Sequence, residues 1–356
     1  MWFNRQKQVS TQTSSLDSVQ SKLENLYSNG IDLSMQELLQ YQSKSNLIDL
    51  KGKKNIQGKQ AGNYLSRSKG RGMEFDEVRH YQTGDDVRAI DWRVTARTGK
   101  THTKLFREEI ERPVLVATDL SQNMRFGSKL LFKSVQAAHL AALVAWHAKA
   151  RGDRLGGLVF CDQQHIELKP RSRKAGVLHY LHALTTLNNQ TSVPNAISSN
   201  TVADTKALDA PQRQASTVQN DFEHQCARLR HIAKPGSLVY LITDGYSLLN
   251  EKNSQHALRH LTQISQHCEL VVCLIQDPLE QTLPSSNLKL SVTFTDGKNR
   301  QQLTLGDSET AEKYQQQASK QANLMQQQLT KTGARIIQFT AGETLEQQLK
   351  YQGVAL

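Results

Sequence analysis

Pro113-Val114-Leu115-Val116-Ala117-Thr118-Asp119-Leu120-Ser121-Gln122-Asn123 begins as an apolar run of strand length and stops at an aspartate. A short apolar run bounded by polar residues reads as a strand buried on both faces. Ser128 to Ala150 follows as a helix, apolar on nearly all sides from Val135 to Trp146, which implies burial against a sheet. Arg154 to Phe160 reads as a second strand and His165 to Leu168 as an edge strand. Ala175 to Leu187 is helical, with Val177, Leu178, Leu181 and Leu184 on one face. After a polar stretch, helix resumes from Asp221 to Ala233. Ser237 to Thr243 is a strand ending at Asp244-Gly245. A helix (Gln255 to Gln266), a strand (Glu269 to Ile275), a hairpin about Asp296-Gly297, a Gln-rich helix (Ser308 to Lys331) and a strand (Ala334 to Phe339) complete the pattern. Strands alternating with helices predict an α/β fold, a mostly parallel sheet with helices on both faces.

Outward from this core the chain is more polar. Residues 1–30 are Ser/Gln-rich and aperiodic, and disorder is expected there. A helix is expected from about Asp32 to Leu47, and an extended basic loop from Lys51 to Gly70. The expected organisation is a disordered 1–30, an N-terminal helix and charged segment at 31–112, and the α/β domain at 113–356 with a polar insertion at 188–220.

Hydrophobic residues make up 37% of the 356, and 37 glutamines account for a tenth of the chain. The apolar strands exclude full disorder. No run approaches the ~20 apolar residues of a membrane span, and no apolar leader is visible at the start. Cys161, Cys226, Cys268 and Cys273 have no C-x-x-C spacing and read as buried thiols of a reducing compartment, so a cytoplasmic protein is expected. The net charge is +11, and between Lys51 and Arg107 fourteen Lys/Arg face six Asp/Glu. Such an imbalance marks either a solvated basic face or a surface for acidic partners.

In parallel sheets the functional crevice lies beyond the carboxyl ends of the strands. Two strands here end in aspartate. Asp119, Ser121 and Asn123 place three oxygen-bearing side chains on alternate residues, and Asp244 arrives from another strand end. Together they could form an oxygen cage for a hard cation such as Mg²⁺. The spacing resembles the metal-ion-dependent adhesion site of von Willebrand factor A domains, with Asn123 where serine is expected. Thr185, Thr186, Thr191 and Thr217 are candidates for that site's distant threonine. The structural alternative is a strand end whose polar residues cap the next helix.

A second signal lies upstream. Arg79-His80-Tyr81, Gly84-Asp85-Asp86-Val87-Arg88-Ala89-Ile90-Asp91-Trp92-Arg93 and Ala96-Arg97-Thr98 interleave three aspartates with four arginines. A partly buried ionic network of bidentate pairs is expected. The segment resembles the signature of the bacterial domain-of-unknown-function family 58, in which a Gly-Asp-Asp-x-Arg-x-Ile-Asp-Trp-Arg core precedes a von Willebrand A-like domain. Lys104 to Pro113, Phe132-Lys133-Ser134, Gly152-Asp153-Arg154 and Lys169-Pro170-Arg171 resemble it too. The resemblance implies a von Willebrand A-like (Rossmann-like) sheet with the Arg/Asp-rich segment packed on it. It also implies a non-enzymatic adaptor working with a MoxR-type AAA+ ATPase and other von Willebrand A-domain proteins, with Mg²⁺ as a candidate cofactor. Asp119, Ser121, Asn123 and Asp244 would be the ligands. Arg79, Tyr81, Gly84, Asp85, Asp86, Arg88, Asp91, Trp92, Arg93 and Arg97 would form a scaffold or partner surface. Many relatives begin with two membrane helices that this chain lacks.

Two other classes compete. A Mg²⁺-dependent phosphoryl hydrolase could use Asp119 and Asp244, but no nucleophile motif or phosphate cradle accompanies them. A basic nucleic-acid-binding protein could use the positive stretch, but its aromatics sit beside aspartates, so no nucleic acid is expected. His179/His182 and His256/His260 have zinc-compatible spacing but no further ligands, and read as ordinary histidines.

Overall fold

The computed structural model describes residues 18–48, 73–108, 113–162, 164–192, 222–249, 251–284, 290–295, 300–305 and 307–352. Expectations for 1–17, 49–72 and most of the polar insertion lie outside the described residues. The chain divides into two units, residues 1–51 with 112–356 and residues 52–111.

The expectation of disorder up to residue 30 needs correcting, because residues 18–26 form a helix, α1. Val19, Leu23 and Leu26 fall on one side of it at helical spacing and pack into the core of the larger unit. Helix α2 (Met35–Leu39) is opened by a capping box in which Ser34 and Glu37 satisfy each other's backbone N–H. The cap is therefore at Ser34, two residues later than the expected start. Two 3₁₀ turns, Gln40–Gln42 and Ser45–Leu47, replace the rest of the expected helix.

The smaller unit is built on the antiparallel pair β1 (Met73–His80) and β2 (His102–Glu108), with helix α3 (Trp92–Thr98) between them. Gly84, at φ +106, turns the chain out of β1, and Gly99, at φ +71, ends α3 in the left-handed region that glycine occupies without Cβ strain.

In the larger unit β3 (Pro113–Asp119) lies at the centre of the main sheet. Next to it are β4 (Arg154–Phe160) and then the edge strand β5 (His165–Arg171). On its other side come β6 (Leu238–Thr243), β7 (Glu269–Gln276) and β10 (Arg335–Thr340). Only the β4–β5 pairing is antiparallel. The order reverses on either side of β3, as in doubly wound sheets. The expected mostly parallel sheet flanked by helices is therefore present. Gly157 lets β4 lie close to β3, because a Cβ there would meet the Val116 carbonyl.

Two apolar clusters cover the two faces. Alternation in β3 sends Val114 and Val116 to one cluster and Leu115 and Ala117 to the other. The first cluster holds α4 (Lys133–Ala150), α5 (Arg173–Ser192), the N-terminal segment and α10 (Leu345–Gln352). The second holds α6 (Phe222–Ile232), α7 (Glu251–His267) and part of α9 (Ser308–Lys331). Before α9 come the short helix α8 (Pro278–Gln281) and the hairpin β8 (Leu290–Thr295) with β9 (Arg300–Leu305).

Helix α4 is buried on almost every side because the N-terminal segment covers the face turned away from the sheet. The Trp146 indole N–H donates to the Leu38 carbonyl (3.1 Å), and His139 Nε2 lies 3.1 Å from Glu37 Oε2. Both groups are inaccessible to solvent. Helix α4 starts at Lys133, not Ser128, since the Ser128 backbone N–H and hydroxyl both donate to Asp277 and hold the intervening loop out of helix. On α5 the buried stripe is Val177, Tyr180, Leu181, Leu184 and Leu187, while Leu178 faces outward at 37% exposure. Tyr180 takes the place expected for Leu178 in that stripe, where its Oη reaches Thr118 Oγ1 (2.7 Å) and donates to the Val116 carbonyl (3.2 Å). All four cysteines are buried as free thiols. Among the described residues no helix is long and apolar enough to cross a membrane.

Candidate functional site

The site lies at the carboxyl ends of β3, β6 and β7. Thr118 pairs with Ile242 across the parallel β3–β6 register, so the next residues, Asp119 and Thr243, stand side by side on one face. Accordingly the Thr243 hydroxyl donates to Asp119 Oδ2 (2.7 Å). The chain then turns at Ser121, whose backbone N–H donates to Asp119 Oδ1 (2.9 Å) and whose hydroxyl is near enough to favour the ionised carboxylate. Ser121 stands at the N-cap of the short turn Gln122–Met124 without using its side chain as a cap. The capping alternative is thereby excluded for this hydroxyl. Asn123, on the same turn, is exposed to solvent.

One residue further along β6 the alternation reverses, and Asp244 faces the start of α4. Its Oδ1 accepts the Tyr246 backbone N–H (3.0 Å), and its Oδ2 pairs with the Lys133 ammonium (3.0 Å). Lys133 also reaches Glu280 Oε1 (2.6 Å) and lies 5.1 Å from the centre of the Tyr246 ring. Its side chain is 1% exposed. Burial alone would pull the lysine pKa down, but Asp244 and Glu280 outweigh it, and the ammonium is held charged. Burial also raises the Glu280 carboxyl. The third strand, β7, ends beside Asp277, which is fully buried and caps α8 through a box with Glu280.

Among the described residues Asp119 has no such cation. Burial, reinforced by the neighbouring Asp244 carboxylate, pushes its carboxyl up from 3.8 to about 7. A carboxyl whose folded value exceeds its unfolded value binds more protons in the native state between the two. Stability therefore falls as pH rises from about 4 to about 7 and levels off above that, a loss on the order of 4 kcal/mol. Asp119→Asn cannot ionise, so its urea midpoint in chelator is expected to stay level over this window while that of the natural chain falls. Parallel curves for the two proteins would show that Asp119 ionises without cost.

Ser121 is hydrogen-bonded to Asp119, Asp244 is near enough to act on the Asp119 carboxyl electrostatically, and Asn123 stands exposed on the turn. Thr185 and Thr186 do not join them. Both sit on α5, where their hydroxyls bond to His182, while Thr191 and Thr217 fall outside the described side chains. The threonine that touches Asp119 is Thr243, directly before Asp244, and the strand register was the signal for it. Lys133, Glu280 and Asp277 were also missed. Asp277 follows an apolar strand just as Asp119 and Asp244 do and was open to the same reasoning. No group of three or more His, Cys, Asp or Glu residues is arranged to hold a metal among the described residues. A cation here would instead depend on Ser, Thr and Asn oxygens.

The second set of residues gathers differently from the expected bidentate network. Arg79 pairs with Asp85 (2.6 Å), Asp85 accepts the Gln82 N–H, and the Tyr81 hydroxyl donates to the Asp85 carbonyl, all around the turn at Gly84. Asp86 accepts the Arg88 backbone N–H, and Asp91 caps α3 by accepting the N–H groups of Arg93 and Val94. The Val94 N–H contributes most to lowering the Asp91 carboxyl below its usual range. Unsatisfied N–H groups at the helix starts compete for these carboxylates, and short aspartate side chains reach them at no cost in sequence separation. Arg88, Arg93 and Arg97 are left exposed, without a carboxylate partner among the described residues.

The fold and site define a doubly wound α/β protein with buried carboxylates at a sheet switch point, joined to a small Arg/Asp-rich unit. Residues 77–324 match the family described as "Protein of unknown function DUF58", and the chain belongs to that family. It is similar to proteins named as uncharacterized from Mycobacterium bovis and from Mycobacterium tuberculosis. Each is 29% identical over 177 residues, 49% of this chain and 55% of the relative. The match therefore spans about half the length of these curated relatives.

Proposed function

We propose that the larger unit is a von Willebrand A-like domain and that the protein is a non-enzymatic adaptor, contacting its partner through the carboxyl edge of the sheet with a divalent cation at Asp119. The observation that carries this reading is the contrast between the two aspartates. Asp244 is paired with Lys133, whereas Asp119 is equally buried and has no cation of its own among the described residues. Buried charge without compensation is costly, and a bound Mg²⁺ would remove that cost. The donor chemistry fits a hard cation. Asp119 and the Ser121 hydroxyl would hold it, Asn123 could add its amide oxygen, and Asp244 would support it from beside Lys133. Such an ion, when bound, supplies an open position for a carboxylate of the partner. This chain's own residues position Asp119 through Thr243 and Ser121 and keep Asp244 in place through Lys133.

By family resemblance the partner is a MoxR-type AAA+ ATPase, with other von Willebrand A-domain proteins in the same assembly, and the role is maturation of protein complexes. Against the hydrolase alternative, Lys133 is enclosed by two carboxylates and is not free to receive a phosphate. The test is co-purification with a MoxR-type ATPase. Retention in Mg²⁺ is expected, with loss in chelator and in Asp119→Ala. Retention that ignores both would remove the metal from the reading. Hydrolysis of a phosphate monoester that vanishes in Asp119→Asn would favour the hydrolase instead.

A further inference from the structure

The smaller unit carries a surface whose composition differs from an ordinary solvated face. Trp92 is 67% exposed and Val87, five residues before it, 60% exposed. Arg93 and Arg97 are four residues apart on α3, on the stripe next to Trp92, and Arg88 and Lys100 lie in the segments flanking that helix. Like charges at that spacing disfavour the helix that carries them. No carboxylate pairs with Arg88, Arg93, Arg97 or Lys100 among the described residues. Asp85 and Asp91, by contrast, are held by Arg79 and Lys104, and Asp86 is engaged with a backbone N–H. The aspartates of the motif and Arg79 are thus used inside the unit, while Arg88, Arg93 and Arg97 stand exposed.

We infer that Val87, Arg88, Trp92, Arg93, Arg97 and Lys100 form a docking surface for an acidic segment of a partner protein, with Trp92 as the apolar anchor and the arginines as the rim. Tryptophan and arginine are the side chains that most often carry binding energy at protein interfaces. An exposed aromatic with an exposed aliphatic five residues before it and arginines around both suits a leucine or phenylalanine flanked by glutamates. Single-stranded nucleic acid would call for successive stacking aromatics, and among the described side chains of this unit only Trp92 is a strongly exposed one. This surface is made of residues of the smaller unit alone and needs no metal, so either proposal stands if the other fails.

The test uses the full chain and a fluorescein-labelled peptide in which glutamates surround a leucine–phenylalanine pair, followed by anisotropy at low and high salt. Saturable binding is expected, unchanged by chelator and weakened by salt. It should fall at least about tenfold both in Arg93→Glu/Arg97→Glu and in Trp92→Ala, two changes at exposed positions. Lys320→Glu/Lys331→Glu, which removes the same charge from α9, should leave it intact. Absence of peptide binding would overturn the proposal, as would equal weakening in the α9 control or indifference to Trp92→Ala. Tighter capture of labelled oligothymidine by the same residues would assign the surface to nucleic acid, and Trp92-dependent self-association in sedimentation would assign it to a second copy of the chain.

Discussion

Lys133→Met is expected to lower the unfolding free energy by about 3–5 kcal/mol, because it leaves two carboxylates buried without their cation. Asp244 is as buried as Lys133 itself, and Glu280 is largely so. Methionine fills similar space, so the loss is electrostatic and not a cavity effect. Part of it is relieved if Glu280 takes up a proton, towards which burial already pushes it. The triple variant Lys133→Met/Asp244→Asn/Glu280→Gln, which removes all three charges, should therefore recover most of the stability lost. Urea unfolding of the three proteins checks this. A single variant as stable as the natural chain would mean that water reaches these carboxylates.

The second large effect is expected at Trp146. Trp146→Ala removes a fully buried indole from the junction of α4 with the N-terminal segment, and a loss of about 3–5 kcal/mol follows from the cavity alone. The Leu38 carbonyl also loses its donor. Because α2 and the 3₁₀ turn after it meet α4 through Leu38, Tyr41 and the Glu37–His139 contact, residues 18–48 should become the first part of the larger unit to open. Limited proteolysis reads this out, with early cleavage inside 18–48 expected in the variant. Trp146→Phe, which keeps most of the volume, should be the milder change. Uniform loss of protection across the unit would show that the N-terminal segment is an integral layer and not a separable cover.

What the sequence disclosed depended on the range of the interaction. Strand ends at Asp119 and Asp244 were legible because an apolar run that breaks at a carboxylate is a local pattern. Which threonine meets Asp119 was not, since Thr243 is brought there by inter-strand register, 124 positions away. Lys133 stood in the sequence inside the expected helix from Ser128, and nothing nearby indicated that Asp244 and Glu280 would enclose it. Helix α4 looked like a helix buried on a sheet, and it is. Its second apolar face belongs to a Ser/Gln-rich N-terminal segment whose few leucines were too sparse to signal packing. In the Arg/Asp motif the alternating charges suggested pairing along the chain. Backbone N–H groups one to three residues away are nearer to an aspartate than any arginine fork, and they took Asp86 and Asp91.

The adaptor reading rests on whether Asp119 receives a divalent ion, and isothermal titration of Mg²⁺ and Mn²⁺ into the full chain, with Asp119→Ala beside it, measures that directly. Saturable binding to the natural chain that disappears in the variant is the predicted result. Absence of heat from both proteins, or the same binding in each, would contradict it and leave the carboxyl edge of the sheet without a metal-dependent contact.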